Sequence, residues 1–309
     1  MQTLISVVIP VFLVIGFGYA AAWRGLFTQT NVDGLMRYAN SFAVPVLLFR
    51  AIANLDLAAE FNLPMMAGFY AGAVTCFIVG IMGARFLFNR DWEDAVAIGF
   101  VCLYSNSLLL GLPITERAYG TEALTGNYAI ISIHAPFCYG LGIATMEIMR
   151  ARHTGGFSFL PKVFKSMFSN ALVLGIAAGF VINLGNIPKP EPVMAAVDLI
   201  AVSALPAALF ALGGVLVRYR PEGDMRTILF CCVVVLALHP AITFFLGQWN
   251  DLQPAAMRSS VITAAMAPGI NAFLFANMYG RAQRVAASTV LIATGLSILS
   301  AWLWLGVLP

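Results

Sequence analysis

Charge is what this sequence has least of. Only 10% of its 309 residues are Asp, Glu, Lys or Arg, while 61% are hydrophobic; an ordinary soluble domain carries roughly 25% charged residues. A soluble chain could not keep so much apolar surface from water and stay dispersed. The net charge of +3 is small, and no basic run interleaved with aromatics occurs, so a nucleic-acid partner is excluded. The five cysteines (Cys76, Cys102, Cys138, Cys231, Cys232) lie in apolar stretches without metal-ligand spacing. They read as small core hydrophobes, and no disulfide is required. No nucleophile–base pattern, phosphate loop or metal cluster is legible, which speaks against an enzyme and against a cofactor. From Met1 to Tyr19 there is no positive region, and the apolar run outlasts that of a signal peptide; this segment reads as a membrane span.

Long apolar runs are what the sequence has instead. A helical span needs about 20 mainly apolar residues. Ten stretches qualify: Thr3–Ala22, Gly34–Ala53, Pro64–Phe88, Ala95–Ile114, Leu124–Met149, Asn170–Asn186, Val193–Val217, Thr227–Gly247, Ala255–Tyr279 and Ala282–Val307. The fold class expected is therefore an all-α polytopic membrane protein with ten transmembrane helices. The odd-numbered loops and their edges hold 13 of the 17 Lys and Arg residues, and the even side holds Arg50, Arg117, Lys189 and Arg258. By the positive-inside rule the odd loops are cytoplasmic and both termini periplasmic.

The halves resemble each other. Pro45-Val46-Leu47-Leu48-Phe49 and Pro206-Ala207-Ala208-Leu209-Phe210 share Pro-x-x-Leu-Phe at an offset of 161, and Ala118-Tyr119-Gly120 answers Met278-Tyr279-Gly280 at 160. Five spans per half is odd, so the second half enters the membrane in the opposite sense, an inverted repeat as in many secondary transporters. The organisation expected is a first five-helix repeat over 1–149, a basic cytoplasmic linker over 150–169 and a second repeat over 170–309.

Spans four and nine, the fourth elements of the two halves, are both interrupted. One contains Ser105-Asn106-Ser107 followed by Gly111 and Pro113; the other contains Pro268-Gly269-Ile270-Asn271. Pro268 cannot donate a backbone N–H, and Gly269 adds backbone freedom. The serines and Asn106 can bond freed backbone groups or a ligand. Such breaks persist only inside protein or along a wet cavity. Each alone reads equally as a packing kink; as a pair in register they point to a binding site. Neither Ala95–Thr115 nor Ala255–Tyr279 contains an Asp or Glu. Amides, hydroxyls and the positive ends of half-helices without a carboxylate suit an anion.

Asn106-Ser107-Leu108-Leu109-Leu110-Gly111-Leu112-Pro113 resembles the Asn-x-x-x-x-Gly-[Ile/Leu]-Pro signature of the auxin efflux carrier family. Phe42–Phe49 is similar to that family's second helix and Gly269–Ala276 to its ninth. The resemblance implies crossed fourth and ninth helices. It also implies a scaffold of helices 1, 2, 6 and 7, and a transport domain of helices 3–5 and 8–10. Elevator-like movement, homodimers, and carboxylate substrates such as malonate, malate or auxin-like acids are further implications. The short central loop departs from the long loop of many plant auxin exporters.

The expected function is a secondary transporter of small organic anions in the inner membrane. The candidate substrate-binding residues are Ser105, Asn106, Ser107, Gly111, Pro113, Pro268, Gly269, Asn271 and Arg50. Arg50 either pairs with a substrate carboxylate or snorkels, or pairs with Asp56 or Glu60. His134 and His239 are proton carriers or hydrogen-bonded structural residues. The alternatives are a sodium- or proton-coupled bile-acid-type symporter and a membrane receptor that binds without moving its ligand. Gly68-x-x-x-Gly72 and Gly175-x-x-x-Gly179 permit close helix packing.

Overall fold

A computed structural model describes residues 4–55, 62–154 and 171–309. Within them all regular elements are helical, and the only strand-like pairing is one antiparallel bridge between Ser105 and Pro268. The expected linker 150–169 lies outside the described residues from 155 onward, as do Asp56 and Glu60.

The helices in chain order are α1 (Ile9–Trp23), α2 (Gln29–Tyr38), α3 (Val44–Ala53), α4 (Leu63–Met82), α5 (Trp92–Leu103), α6 (Leu112–Tyr119), α7 (Thr125–Thr154), α8 (Ala171–Leu184), α9 (Glu191–Leu216), α10 (Met225–Val233), α11 (His239–Trp249), α12 (Pro254–Ala264), α13 (Ile270–Tyr279) and α14 (Gln283–Val307). π-helical turns join α2 to α3 and α10 to α11, and another leads into α6. Pro45, Pro113 and Pro240 each sit just after such a turn. There the hydrogen-bond ladder is already offset, and a missing N–H costs least.

Six stretches are long and apolar enough to cross a membrane: Ile5–Trp23, Leu63–Leu87, Thr125–Arg150, Glu191–Leu216, Met225–Trp249 and Gln283–Val307. They overlap the first, third, fifth, seventh, eighth and tenth spans expected from sequence. The other four differ for local reasons. α8 is apolar but short. The second span is divided into a polar α2 and an apolar α3. The fourth and ninth are each broken in the middle, between α5 and α6 and between α12 and α13.

The chain forms two compact units, the larger from residues 1–8, 62–163 and 219–309, the smaller from 9–61 and 164–218. In the smaller unit, glycines let backbones touch. A Cβ on Gly18 or Gly213 would collide with the carbonyls of Phe210 or Ile15, which fixes α1 against α9. Gly175 and Gly179 likewise meet the carbonyls of Pro45 and Phe49, so this pair packs α8 on α3. The end of α3 is capped from outside its own helix. The Asn183 amide donates to the carbonyls of Ile52 (2.8 Å) and Leu55 (2.7 Å), and the Lys189 ammonium to that of Ala53 (3.1 Å). A cation there also suits the negative end of the helix dipole.

The larger unit is built on α4, which lies against α5 through Gly80 and Gly99 and against α11 through Gly72, next to His239 and Thr243. The Gly68–Gly72 pair is thus used within the chain. α7 carries Pro136 in its interior and supplies the side chains that face the broken helices.

Candidate functional site

The two broken helices of the larger unit meet at their breaks. α5 ends at Leu103, after which Tyr104 is extended (φ −93°, ψ 91°). α12 ends at Ala264, and Gly269 is extended (φ −76°, ψ 168°) ahead of α13. The Asn106 N–H donates to the Ala267 carbonyl (2.8 Å), and the Gly269 N–H to the Tyr104 carbonyl (3.2 Å). Ser105 and Pro268 therefore face each other as the pair that exchanges no hydrogen bonds of its own. That is the one place in such a bridge where proline's missing N–H leaves nothing unpaired.

Asn106 is the centre of a tight turn. Its φ of −79° and ψ of 62° and the Ser107 N–H donating to the Ser105 carbonyl at 2.9 Å define an inverse γ-turn. The Asn106 side-chain oxygen then accepts from the Leu109 N–H (3.2 Å), capping the helical segment that runs into α6. Its backbone carbonyl accepts from Leu110 and Gly111. Asn106 is 7% exposed, and no described residue accepts from its Nδ2 amide.

The remaining candidates divide. The Ser105 and Ser107 hydroxyls lie 3.0 Å apart, and that of Ser107 also donates to the Ser105 carbonyl (3.3 Å). The two hydroxyls thus bond each other and a backbone carbonyl of the break, one of the two uses open to them from sequence. Asn271, at the start of α13, donates to the Tyr104 hydroxyl (3.0 Å) and accepts from that of Tyr139 (3.3 Å). Gly111 and Pro113 are buried in the first turns toward α6, where Gly111 lies beside Thr263. The backbone freedom expected of Gly269 is not used. Its φ is open to any residue, and an added Cβ would be 3.6 Å from the Tyr104 ring, an ordinary contact.

Arg50 belongs to the smaller unit, where it pairs with Asp198 at 3.2 Å. That partner is 148 positions away; the carboxylates considered from sequence, Asp56 and Glu60, lie outside the described residues. Both histidines are buried and hydrogen-bonded, His134 Nε2 to the Ser105 carbonyl (3.2 Å) and His239 Nε2 to that of Phe69 (3.3 Å).

The positive ends of α6 and α13 arrive at the crossing, as expected, but so do the negative ends of α5 and α12. The dipoles alone therefore do not set the sign of the site. In the loop itself the carbonyls of Tyr104, Ser105 and Ala267 all accept protein donors. No carboxylate lies in either broken helix between residues 95 and 115 or 255 and 279. The Asn106 amide offers a donor there with no acceptor among the described residues, while Asn127, between the two broken helices, offers a buried side-chain oxygen without a donor.

Aromatic rings line the α5–α13 side. Phe100 and Phe275 are stacked at 3.9 Å, and Tyr139 sits 5.3 Å from Phe100. Tyr104 and Tyr139 were not among the sequence candidates. Tyr104 adjoins Ser105 and was within reach of inference; nothing in the run around Tyr139 marks it. On the α6–α12 side, the Asn127 amide donates to Thr115 (3.2 Å) and Thr263 (3.0 Å), linking the two halves. At the far end of α13, Arg281 bonds Glu93 (3.0 Å) and Asp91 (3.1 Å), and Arg150 bonds Glu93 (3.1 Å). Burial pulls the Glu93 carboxyl up, but hydrogen bonds from Arg281 and Arg150 outweigh it and hold it below its ordinary value.

The family model described as membrane transport protein matches residues 3–155 and 156–305. A proposed malonate transporter from Rhizobium meliloti (strain 1021) is 24% identical over 96% of this chain and 93% of its own length. Auxin efflux carrier component 5 from Arabidopsis thaliana is 21% identical over 89% of this chain and 88% of its own. The lysosomal cholesterol signaling protein of Mus musculus is 26% identical over 72% of this chain but only 26% of its own length. With its apolar helices and a family match along nearly its whole length, the chain is a multi-pass membrane transport protein, not an enzyme, and belongs to the auxin efflux carrier family.

Proposed function

We propose that this chain is a secondary transporter of small organic anions, carboxylates such as malonate or malate or auxin-like acids, and that the substrate binds where the two broken helices cross. The observation that carries this reading is the Asn106 amide, held in a γ-turn with no acceptor among the described residues, at a crossing of two stretches without a carboxylate. Malonate transport is named for one relative and auxin efflux for another, and both cargoes are small carboxylates. Asn271, carried by its tyrosine partners, supplies a second amide. The remaining candidates Ser105, Ser107, Gly111, Pro113, Pro268 and Gly269 shape the turn. Arg50 is assigned to the Asp198 pair in preference to the substrate.

The wider frame is likewise our reading. The ten spans form two inverted five-helix repeats, and both termini face the periplasm of a cell with an inner membrane. Helices 1, 2, 6 and 7 form a scaffold, against which the unit carrying the crossing moves as an elevator, in a homodimer. The division of the chain into two compact units supports that assignment. Counterflow in proteoliposomes tests the function: labelled malonate should accumulate against unlabelled malonate, and Asn106→Ala should abolish accumulation while leaving the protein folded.

A second reading, a receptor that binds without transport, draws support from the similarity to a signaling protein. Saturable malonate binding with no counterflow, in liposomes of demonstrated integrity, would favour it. Strict sodium dependence would favour the symporter alternative.

A further inference from the structure

We infer that His134 is a positioning residue for the substrate site: by donating from Nε2 to the Ser105 carbonyl, it anchors the γ-turn that presents Asn106. This rests on the reading of the crossing as an anion site.

Within its own segment, the Ser105 carbonyl is held only by a near neighbour. The Ser105 carbonyl accepts from the Ser107 N–H at 2.9 Å and the Ser107 hydroxyl at 3.3 Å. Both donors come from two residues away, so their directions are set by the turn they are meant to hold. His134, on α7 and 29 positions distant, is the donor from outside. A carbonyl can only accept, so Nε2 carries the proton; Nδ1 then remains an acceptor, 3.8 Å from the Cys138 sulfur. The ring itself is fixed edge-on to Tyr104 (4.7 Å) and Phe69 (5.8 Å) and is 3% exposed. His134 is thus a rigid post on an unbroken helix, reaching into the loop of a broken one.

Two consequences follow for an anion. Without the His134 bond, the turn is tied from outside by its backbone bonds to Ala267 and Gly269 alone, and orienting the Asn106 amide costs more entropy on binding. The Ser105 carbonyl also loses one of its three donors, so its partial negative charge beside the site is less compensated and repels an anion more. Both raise the substrate concentration needed for half-maximal rate. The second effect grows with substrate charge, so a dicarboxylate should suffer more than its monoanionic ester.

The test compares wild type with His134→Phe and His134→Gln in reconstituted malonate and monomethyl malonate transport. Phenylalanine keeps the ring contacts and lacks the donor; the Gln amide nitrogen reaches about as far as Nε2 and donates, but does not titrate. His134→Phe should raise the KM for malonate about ten-fold, and that for monomethyl malonate less, with a smaller change in kcat. His134→Gln should restore most of the difference. A proton-carrying histidine would instead fail in both variants. If His134→Phe does not survive purification, His134→Gln decides alone: near-wild-type KM supports the positioning role, and loss of transport overturns it. An unchanged KM in His134→Phe beside active wild type overturns this inference only. Absence of carboxylate flux in wild type overturns the anion reading and this inference with it.

Discussion

Phe100 of α5 and Phe275 of α13 lie face to face, 3.9 Å between ring centroids and 8° from parallel. Both are fully buried, and each belongs to a different broken helix. An interrupted helix gives up the continuous hydrogen-bond ladder that would otherwise hold it in the membrane, so its halves must be fixed from the side. The stacked pair does this for two half-helices, with Gly142 of α7 close against both rings.

Removing one ring should therefore loosen the crossing. Phe275→Ala should lose about 3 kcal/mol of stability, read as a lower thermal midpoint in detergent, and Phe275→Leu should lose less. Equal midpoints for Phe275→Ala and wild type would mean the half-helices are held elsewhere.

Asn271 depends on two phenols. Tyr139→Phe removes the donor to its side-chain oxygen and Tyr104→Phe the partner of its amide. Each should cost about 1 kcal/mol of substrate affinity, roughly five-fold in KM, with expression unchanged. Transport kinetics of the two single variants check this, and wild-type KM in both would remove Asn271 from the site.

The Glu93 carboxylate outside the membrane is held below its ordinary value of 4.5 by Arg281 and Arg150. A depressed carboxyl contributes stability above that value, and the contribution is lost as pH falls through the lowered one. Thermal midpoints measured from neutral pH downward should fall in wild type below about 4.5 and fall less steeply in Glu93→Gln. Added salt should shrink the difference, because the cluster is partly exposed.

Arg50 and Asp198 are partly exposed, at 31% and 56% of their side chains. Such a pair contributes little, below about 1 kcal/mol. Arg50→Ala should leave both the thermal midpoint and the malonate KM near wild type. A raised KM would return the guanidinium to the substrate.

The crossing was legible because its residue types are rare inside apolar runs. Ser105-Asn106-Ser107 and Pro268-Gly269 stand in register across the two halves, which favours breaks over packing kinks, and no acid accompanies them. What sequence could not show is which polar groups satisfy each other. Ser105 and Ser107, for instance, bond each other within the turn. The Tyr139–Asn271 contact spans 132 positions and the Arg50–Asp198 pair 148, and neither has a local signature. The positive ends of α6 and α13 at the crossing follow from the broken spans, but the negative ends of α5 and α12 meet them there. Gly269 offers backbone freedom, yet its φ is ordinary.

The central claim is that the unpartnered Asn106 amide binds a carboxylate in transit, and malonate counterflow in proteoliposomes tests it most directly. Wild type should accumulate labelled malonate, while Asn106→Ala, equally folded and reconstituted, should show none above protein-free liposomes. Accumulation at the wild-type rate in Asn106→Ala would contradict the claim.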